Sequence, residues 1–194
     1  MDVNKYEELL KENNAIINGH FLLTSGLHSD TYVEKFELLK YPDLTDQVCS
    51  GIAEYFQDES PTVVVGAATG GIPISQSVAR ELEVRSIFSE RVDGEMIFKR
   101  GFEIKDGEKV LIVDDIVTTG GSIKELINLV NQEGGEIAGV GVIVDRSEED
   151  IDFGVEYHAL VNLEIPTYTP EECPLCQKGK ELTTRGRTGK KKSS

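Results

Sequence analysis

The sequence predicts an α/β protein with a doubly wound, mainly parallel sheet. Short apolar runs such as residues 62–66 and 110–113 lack polar alternation, which is typical of strands buried on both faces. Segments with helical apolar spacing separate these runs, and alternating strands and helices favour a parallel sheet. Two glycine-rich turns follow predicted strands, at the sheet edge where such folds bind ligands.

The predicted elements follow one another in regular order. Residues 2–14 have the spacing of an amphipathic helix, and residues 18–36 look extended, with a turn at Ser25-Gly26. A further helix begins at Pro42, because proline suits the first helical position. Beyond it we expect strands at 62–66, 84–88, 110–113, 136–144 and 158–163, helices after the two glycine-rich turns, and a β-excursion over 90–105.

Length and charge suggest one domain with a basic tail. A chain of 194 residues suits a single core, which we expect over residues 1–177. The net charge is −15, yet residues 178–194 carry seven basic residues against one acidic residue. This segment lacks apolar periodicity and is expected to be disordered. The acidic body argues against nucleic acid as the ligand.

The sequence contains no membrane signal. No apolar run approaches the roughly 18 residues that would cross a bilayer, and the N-terminus does not resemble a signal peptide. A cytoplasmic location is therefore expected, without a membrane partner.

The three cysteines do not form a disulfide framework. Cys173-Pro-Leu-Cys176 is a single CxxC, whereas a structural zinc site normally needs four ligands. The histidines His20, His28 and His158 are scattered along the chain. We therefore expect a tight turn at the CxxC and treat metal binding there as the less favoured alternative.

The segment from Val110 to Ser122 is the most informative part of the chain. An apolar strand ends in Asp114 and Asp115, and Thr118-Thr119-Gly120-Gly121-Ser122 then leads into a helix. Backbone N–H groups, hydroxyls and a helix N-terminus together bind phosphate. Paired carboxylates accept hydrogen bonds from vicinal hydroxyls and can bind a hard cation. The pattern predicts a site for a ribose 5-phosphate.

This segment resembles the phosphoribosyl-pyrophosphate (PRPP) motif of the type I phosphoribosyltransferases. The resemblance implies that Asp114 and Asp115 hold the ribose hydroxyls and that Thr118, Thr119, Gly120, Gly121 and Ser122 wrap the 5-phosphate. It also implies Mg²⁺, bound through PRPP and possibly by the two aspartates. The earlier turn resembles the family's pyrophosphate loop, at Ala68, Thr69, Gly70 and Gly71.

The N-terminal segment resembles the signature of orotate phosphoribosyltransferases. The residues that carry this similarity, and that are expected to grip the base, are Phe21, Thr24, Ser25, Gly26 and Tyr32. In that family the segment belongs to a small hood over the active site, here mainly residues 1–36. The same family usually forms homodimers.

Residues 88–100 occupy the place of the family's catalytic loop but depart from its common pattern. Many orotate enzymes carry a Lys-x-x-Lys-x-His cluster there, whereas this chain offers the cations Arg91, Lys99 and Arg100. The loop and the Cys-Pro-x-Cys segment resemble a divergent bacterial or archaeal branch. With Asp114 and Asp115, these three cations are the predicted catalytic residues.

The resemblance implies an Mg²⁺-dependent enzyme that makes orotidine 5-monophosphate from PRPP and orotate, in pyrimidine (UMP) biosynthesis. Two alternatives remain open from the sequence. One is a type I transferase for a purine base. The other is a PRPP-sensing regulator without turnover, which the missing loop lysines and histidine favour.

Overall fold

The computed structural model describes residues 3–23 and 25–184, and the side chains from residue 5 onward. The α-helices in this part are α1 (Val3–Glu12), α2 (Lys35–Leu39), α3 (Pro42–Phe56), α4 (Gly71–Glu81), α5 (Gly121–Gln132) and α6 (Pro174–Gln177). The strands are β1 (Ile16–Leu22), β2 (His28–Val33), β3 (Val63–Ala67), β4 (Arg85–Val92), β5 (Glu95–Phe98), β6 (Lys109–Val117), β7 (Glu136–Asp145), β8 (Tyr157–Asn162), β9 (Thr167–Tyr168) and β10 (Thr183–Thr184).

The larger sheet has six strands in the order β5-β4-β3-β6-β7-β8. Every neighbouring pair is parallel except β4 and β5, which form an antiparallel hairpin at one edge. The predicted doubly wound, mainly parallel sheet is confirmed. Its central pair, β3 and β6, aligns Val63 with Val110 and Gly66 with Val113, so both strands end at the same edge.

The central strands are apolar throughout because both faces of this sheet are covered. Val64, Leu111 and Val113 pack with residues of α3 and α4 on one face. Val65 and Ile112 pack with α5 on the other. All five side chains are fully buried, and each contributes about 1.5–3 kcal/mol relative to exposure. This burial explains the absence of polar alternation in the sequence.

The hood is a second, four-stranded sheet in the order β10-β1-β2-β9. Its centre is the hairpin of β1 and β2, which agrees with the extended segment predicted over 18–36 except at its end, where α2 begins at Lys35. Its two edges come from the other end of the chain, since β9 pairs with β2 and β10 pairs with β1. Residues 167–184 therefore belong to the hood as well.

The start of the basic tail is corrected by this pairing. The sequence suggested disorder from residue 178, but Lys180 Nζ donates to the Gly19 carbonyl at 3.0 Å and Thr183 pairs with Phe21. These contacts use backbone groups of a sheet edge, which apolar periodicity does not report. The rest of the predicted tail, residues 185–194, lies outside the described residues.

The predicted β-excursion is the β4–β5 hairpin and the segment after it. Asp93 and Gly94 turn the chain with φ values of 52° and 95°, and Arg100 and Gly101 do so with 60° and 76°. Both turns lie where the sequence predicted them.

In the described part of the chain, no helix combines the length and apolarity that a membrane crossing requires.

Candidate active site

The acid pair lies at the carboxyl end of β6, a central strand of the large sheet. The backbone N–H of Asp115 donates to Asp114 Oδ1 at 2.9 Å. Burial and, after it, the neighbouring Asp115 charge together raise the pKa of Asp114 to about 7, although this hydrogen bond and Lys35 act to lower it. A buried pair of carboxylates is thus poised to gain a proton or a cation.

Lys35 supplies a positive charge at this site that the sequence analysis did not single out. Its Nζ lies 2.6 Å from Asp115 Oδ2. The same oxygen has no aligned hydrogen-bond donor among the described residues. Lys35 begins α2, directly after the hood strand β2. The only sequence signal was its position at the end of the hood signature, which does not by itself point to an acid about 80 residues away.

The phosphate loop is a tight turn between β6 and α5. Gly120 has a φ of 71°, and a Cβ there would meet the Phe153 ring at 2.9 Å. The helix begins at the next residue, so its first N–H groups point toward the loop. A cavity of about 60 Å³ is lined by Asp114 and residues 116–123. The contiguous motif therefore folds into a small concave turn at a helix N-terminus.

The predicted pyrophosphate loop lies against the acid pair. Strand β3 ends at Ala67, and the Ala68–Thr69 peptide bond is cis. A Cβ on Gly70 would lie 1.6 Å from Asp115 Oδ2, so only glycine fits there. A cavity of about 230 Å³ joins the two turns, and its lining includes Lys35, Ala68, Thr69, Gly70, Arg91, Asp114, Asp115 and Ser122.

The three predicted loop cations occupy different positions. Arg91 lines this cavity and makes an exposed ion pair with Glu125, with 2.6 Å between Nη2 and Oε2. Arg100 instead bonds to Glu90 at 2.6 and 2.8 Å. Lys99 is exposed, and neither it nor Arg100 lines the cavity that contains the aspartates. Arg91 is the loop cation nearest to the acid pair's cavity.

The predicted hood residues that the structure describes are either packed against one another on the strands or placed at the hairpin turn. Phe21 is buried and packs against Tyr32, with ring centroids 5.5 Å apart. Ser25 lines a cavity of about 810 Å³ together with Thr118 and Thr119. Gly26 turns the hairpin with a φ of 90°. Thr24 lies outside the described residues.

Arg146 is, after Lys35, a second cation that the sequence analysis did not single out, and it lines the 810 Å³ cavity. Arg146 follows β7, where its N–H donates to the Val117 carbonyl at 3.0 Å. Burial lowers the pKa of Arg146, and the surrounding lining residues Glu148, Glu149, Asp150 and Asp152 are acidic. No local motif marks Arg146, because its position depends on β7 lying beside β6.

Comparisons with known proteins agree with this geometry. The profile of the phosphoribosyl transferase domain matches residues 37–153. The chain is 48% identical over 186 residues to "Orotate phosphoribosyltransferase" of Caldanaerobacter subterraneus subsp. tengcongensis, covering 96% of this chain and 98% of the relative. The corresponding protein of Thermotoga maritima is 44% identical over 95% of this chain and 99% of its own length. The chain belongs to the orotate phosphoribosyltransferase family.

Solved structures agree with the fold. The crystal structure of orotate phosphoribosyltransferase from Aeropyrum pernix has a TM-score of 0.70 and 26% identity, covering 81% of this chain and 93% of that one. An adenine phosphoribosyltransferase from Leishmania tarentolae has a TM-score of 0.64 at 17% identity, covering 84% and 89%, and shows the fold alone. The predicted family, fold and class of enzyme, a phosphoribosyltransferase, are confirmed.

Proposed function

We propose that this protein transfers the 5-phosphoribosyl group of PRPP to orotate, giving orotidine 5-monophosphate and pyrophosphate in pyrimidine (UMP) biosynthesis. The observation that carries the proposal is the 230 Å³ cavity at the ends of β3 and β6. It joins the pyrophosphate turn, the acid pair and Arg91, and it adjoins the small cradle of the phosphate loop through Asp114 and Ser122.

In this proposal each turn binds one part of PRPP. The N–H groups and hydroxyls of residues 118–122 bind the 5-phosphate. Asp114 and Asp115 accept hydrogen bonds from the two ribose hydroxyls. Residues 68–71 bind the pyrophosphate through exposed backbone N–H groups. Lys35 holds Asp115 in place and adds positive charge beside the pyrophosphate.

The acid pair has the donor set that Mg²⁺ prefers. Asp115 Oδ2 is buried without an aligned hydrogen-bond donor in the described chain, and the pKa of Asp114 is raised by burial and by its neighbour. A hard cation coordinated by carboxylate oxygens would relieve both. Asp114 and Asp115 would hold it, directly or through water and PRPP. When bound, Mg²⁺ neutralises charge on the departing pyrophosphate.

The reaction needs positioning and charge rather than a nucleophilic side chain. Breaking the C1–oxygen bond leaves positive charge on the ribose ring and adds negative charge to the pyrophosphate. The aspartates lie on the side of the ring that becomes positive, and Arg91 faces the leaving group. Arg91 must exchange its exposed contact with Glu125 for the pyrophosphate. An exposed ion pair is weak enough for that exchange.

We assign the orotate end of the site to the 810 Å³ cavity under the hood turn. Orotate carries a carboxylate, and Arg146 is a half-buried cation in a lining whose other charged residues are Lys124 and four acids. A guanidinium pairs with a carboxylate through two hydrogen bonds. Leu23 and Leu27 add apolar surface on the hood side. This pairing favours orotate over an uncharged purine base.

The proposal also includes a cytoplasmic homodimer. Phe36 and Tyr41 expose 55% and 54% of their surface, and they lie in the segment that joins the hood to α3, on α2 and at the N-cap of α3. A second copy covering them would bury apolar surface that a monomer leaves in water. Sedimentation of the purified protein measures the oligomeric state.

The deciding experiment follows orotate absorbance with purified protein, Mg²⁺ and PRPP, with hypoxanthine, xanthine, adenine and uracil as parallel acceptors. Loss of orotate that depends on both PRPP and Mg²⁺ is the expected result. Turnover of a purine instead would move the chain to the alternative acceptor. PRPP binding without turnover of any base would favour the regulator.

A further inference from the structure

Four metal-ligating side chains meet in the hood, away from the proposed active site. His20 lies on β1, His28 on β2, and Cys173 and Cys176 flank the start of α6. One ligand atom from each lies within 4.8 Å of all the others. We propose that these residues bind a structural Zn²⁺ ion that joins the C-terminal segment to the hood hairpin.

The distances between the ligand atoms fit a tetrahedral site. Bonds of about 2.0–2.1 Å to nitrogen and 2.3 Å to sulfur place neighbouring ligands roughly 3.3–3.8 Å apart around one ion. His20 Nε2 lies 3.1 Å from His28 Nδ1, 3.4 Å from Cys173 Sγ and 3.7 Å from Cys176 Sγ. Cys176 Sγ lies 3.3 Å from His28 Nδ1. The four atoms already have nearly the spacing of a coordination shell.

Ordinary hydrogen bonds do not account for this arrangement. His20 Nδ1 lies 2.8 Å from the Lys180 carbonyl oxygen, which only accepts, so Nδ1 carries the proton. In a neutral ring, Nε2 is then a bare lone pair, yet it faces a second imidazole and two sulfur atoms. A single lone pair cannot satisfy three neighbours. It can bind one ion that all four groups share, and the Lys180 carbonyl orients the ring for that role.

The chemistry of the ligands selects the ion. Two imidazoles and two cysteine sulfurs in a tetrahedral arrangement are typical of Zn²⁺, whereas Mg²⁺ prefers oxygen. Two thiolates balance the charge of a divalent ion, so the site is neutral inside the hood. His20, His28 and Cys173 are buried and Cys176 is exposed, which leaves a route by which the ion enters.

The local backbone brings both sulfurs to the same side. Cys173 precedes the four-residue helix α6, and its carbonyl accepts from the Gln177 N–H at 3.2 Å. The chain then turns so that the N–H of Gly179 bonds to the Cys176 carbonyl at 2.9 Å. The expected tight turn at the CxxC is present, and it serves as one half of the cluster.

The cluster lies where it can hold the hood turn in place. In the sequence, His20 and His28 precede and follow the hood turn. Three residues of that turn, Leu23, Ser25 and Leu27, line the cavity assigned to orotate. The cysteines belong to the segment that connects the two edge strands, β9 and β10. An ion bound there would link β1, β2 and that segment at one point. This role is independent of whether the proposed reaction is correct.

The first test is the metal content of the full chain, purified without a polyhistidine tag and under reducing conditions. We expect one zinc ion per chain by mass spectrometry. Replacing zinc with Co²⁺ should produce the visible absorption of a tetrahedral site with thiolate ligands. Protein that contains no zinc, takes up neither ion after reduction, or holds a Cys173–Cys176 disulfide would overturn the proposal.

Variants identify the ligands. Cys173→Ser with Cys176→Ser should lose the zinc, whereas Cys49→Ala and His158→Gln should keep it, since Cys49 is buried elsewhere and His158 stacks on Tyr55. Zinc retained by the double variant would contradict the assignment. If that variant fails to fold, the Co²⁺ spectrum of the unaltered chain still decides, because it requires no substitution.

Discussion

The two sheets of this protein are stabilised in different ways. The large sheet buries fully apolar strands between α3 and α4 on one face and α5 on the other. The hood has edge strands of two residues each, and its buried side chains include the polar His20, His28 and Ser29. The site on the large sheet therefore rests on hydrophobic packing. The hood, with a smaller core, is where a metal crosslink contributes most.

The largest expected effect is the loss of turnover when the acid pair of the large sheet is replaced. Asp114→Asn with Asp115→Asn should lower turnover by about 10³-fold or more, because the ribose hydroxyls and the cation lose their carboxylates. The apolar core should keep the fold, as circular dichroism would report. Asp58→Asn is the matched control, because Asp58 is exposed and lines neither cavity of the site. Unimpaired turnover in the double variant would refute the ribose-site assignment.

Next in size is the effect of Arg91→Gln. We expect kcat to fall roughly 10²-fold with a smaller change in the KM for PRPP, because the lost charge acts mainly on the leaving group. Arg100→Gln is the matched control, since Arg100 pairs with Glu90 instead. Steady-state kinetics measures both. Equal losses in the two variants would show that the catalytic cation is not specifically Arg91.

The orotate end of the site is tested by Arg146→Gln. Loss of a charged hydrogen bond costs about 1.5–3 kcal/mol, so the KM for orotate should rise by about tenfold or more. The KM for PRPP should change much less. A rise confined to PRPP would move Arg146 to the phosphate side of the site.

Removing the proposed zinc should loosen the hood and leave the large sheet unchanged. After treatment with a chelator and return of Mg²⁺, amide hydrogen exchange should increase in β1 and β2 but not in β3 and β6. Ordering a few side chains of the hood turn then costs about 0.5–1.5 kcal/mol each, so the KM for orotate should rise roughly tenfold. Uniform exchange changes across both sheets would contradict an effect local to the hood.

The last prediction concerns stability rather than activity, and it is a pH dependence in the large sheet. The pKa of Asp114 is raised to about 7, so between its ordinary value and 7 the folded protein holds a proton that the unfolded chain lacks. Stability should therefore fall as pH rises through this window, by at most about 1.4 kcal/mol per pH unit. Asp114→Asn should remove this slope, as denaturant titrations at pH 5 to 8 would measure. A slope that survives the substitution belongs to another group.

The part of the site that sequence reasoning reached is contiguous in the chain. A strand, two acids, a small turn and a helix follow one another in residues 110–132, and the structure keeps that order, although β6 continues through both acids to Val117. The sequence named Arg91 only together with Lys99 and Arg100, without separating the three. That Arg91 alone of these lines the cavity of the acid pair depends on β3, β4 and β6 lying side by side.

The cluster of histidines and cysteines in the hood could not be predicted from the sequence. His20 and His28 are eight residues apart, and they look unrelated until the β1–β2 hairpin places them together. The cysteines approach them only because β9 and β10 pair with the two hairpin strands. The expectation of a simple turn at the CxxC therefore omitted half of the cluster.

The fold class and the family followed from the sequence alone, and so did the residues proposed for the phosphate and acid-pair motif. Each depends on local order, periodicity and residue type, which a linear chain displays directly. Tertiary structure was needed to show that Lys35 contacts Asp115, that Arg146 lines the cavity proposed for orotate and that residues 178–184 join the hood. The same holds for the meeting of two histidines with two cysteines. These contacts join distant segments, and the pairing of strands within each sheet brings them together.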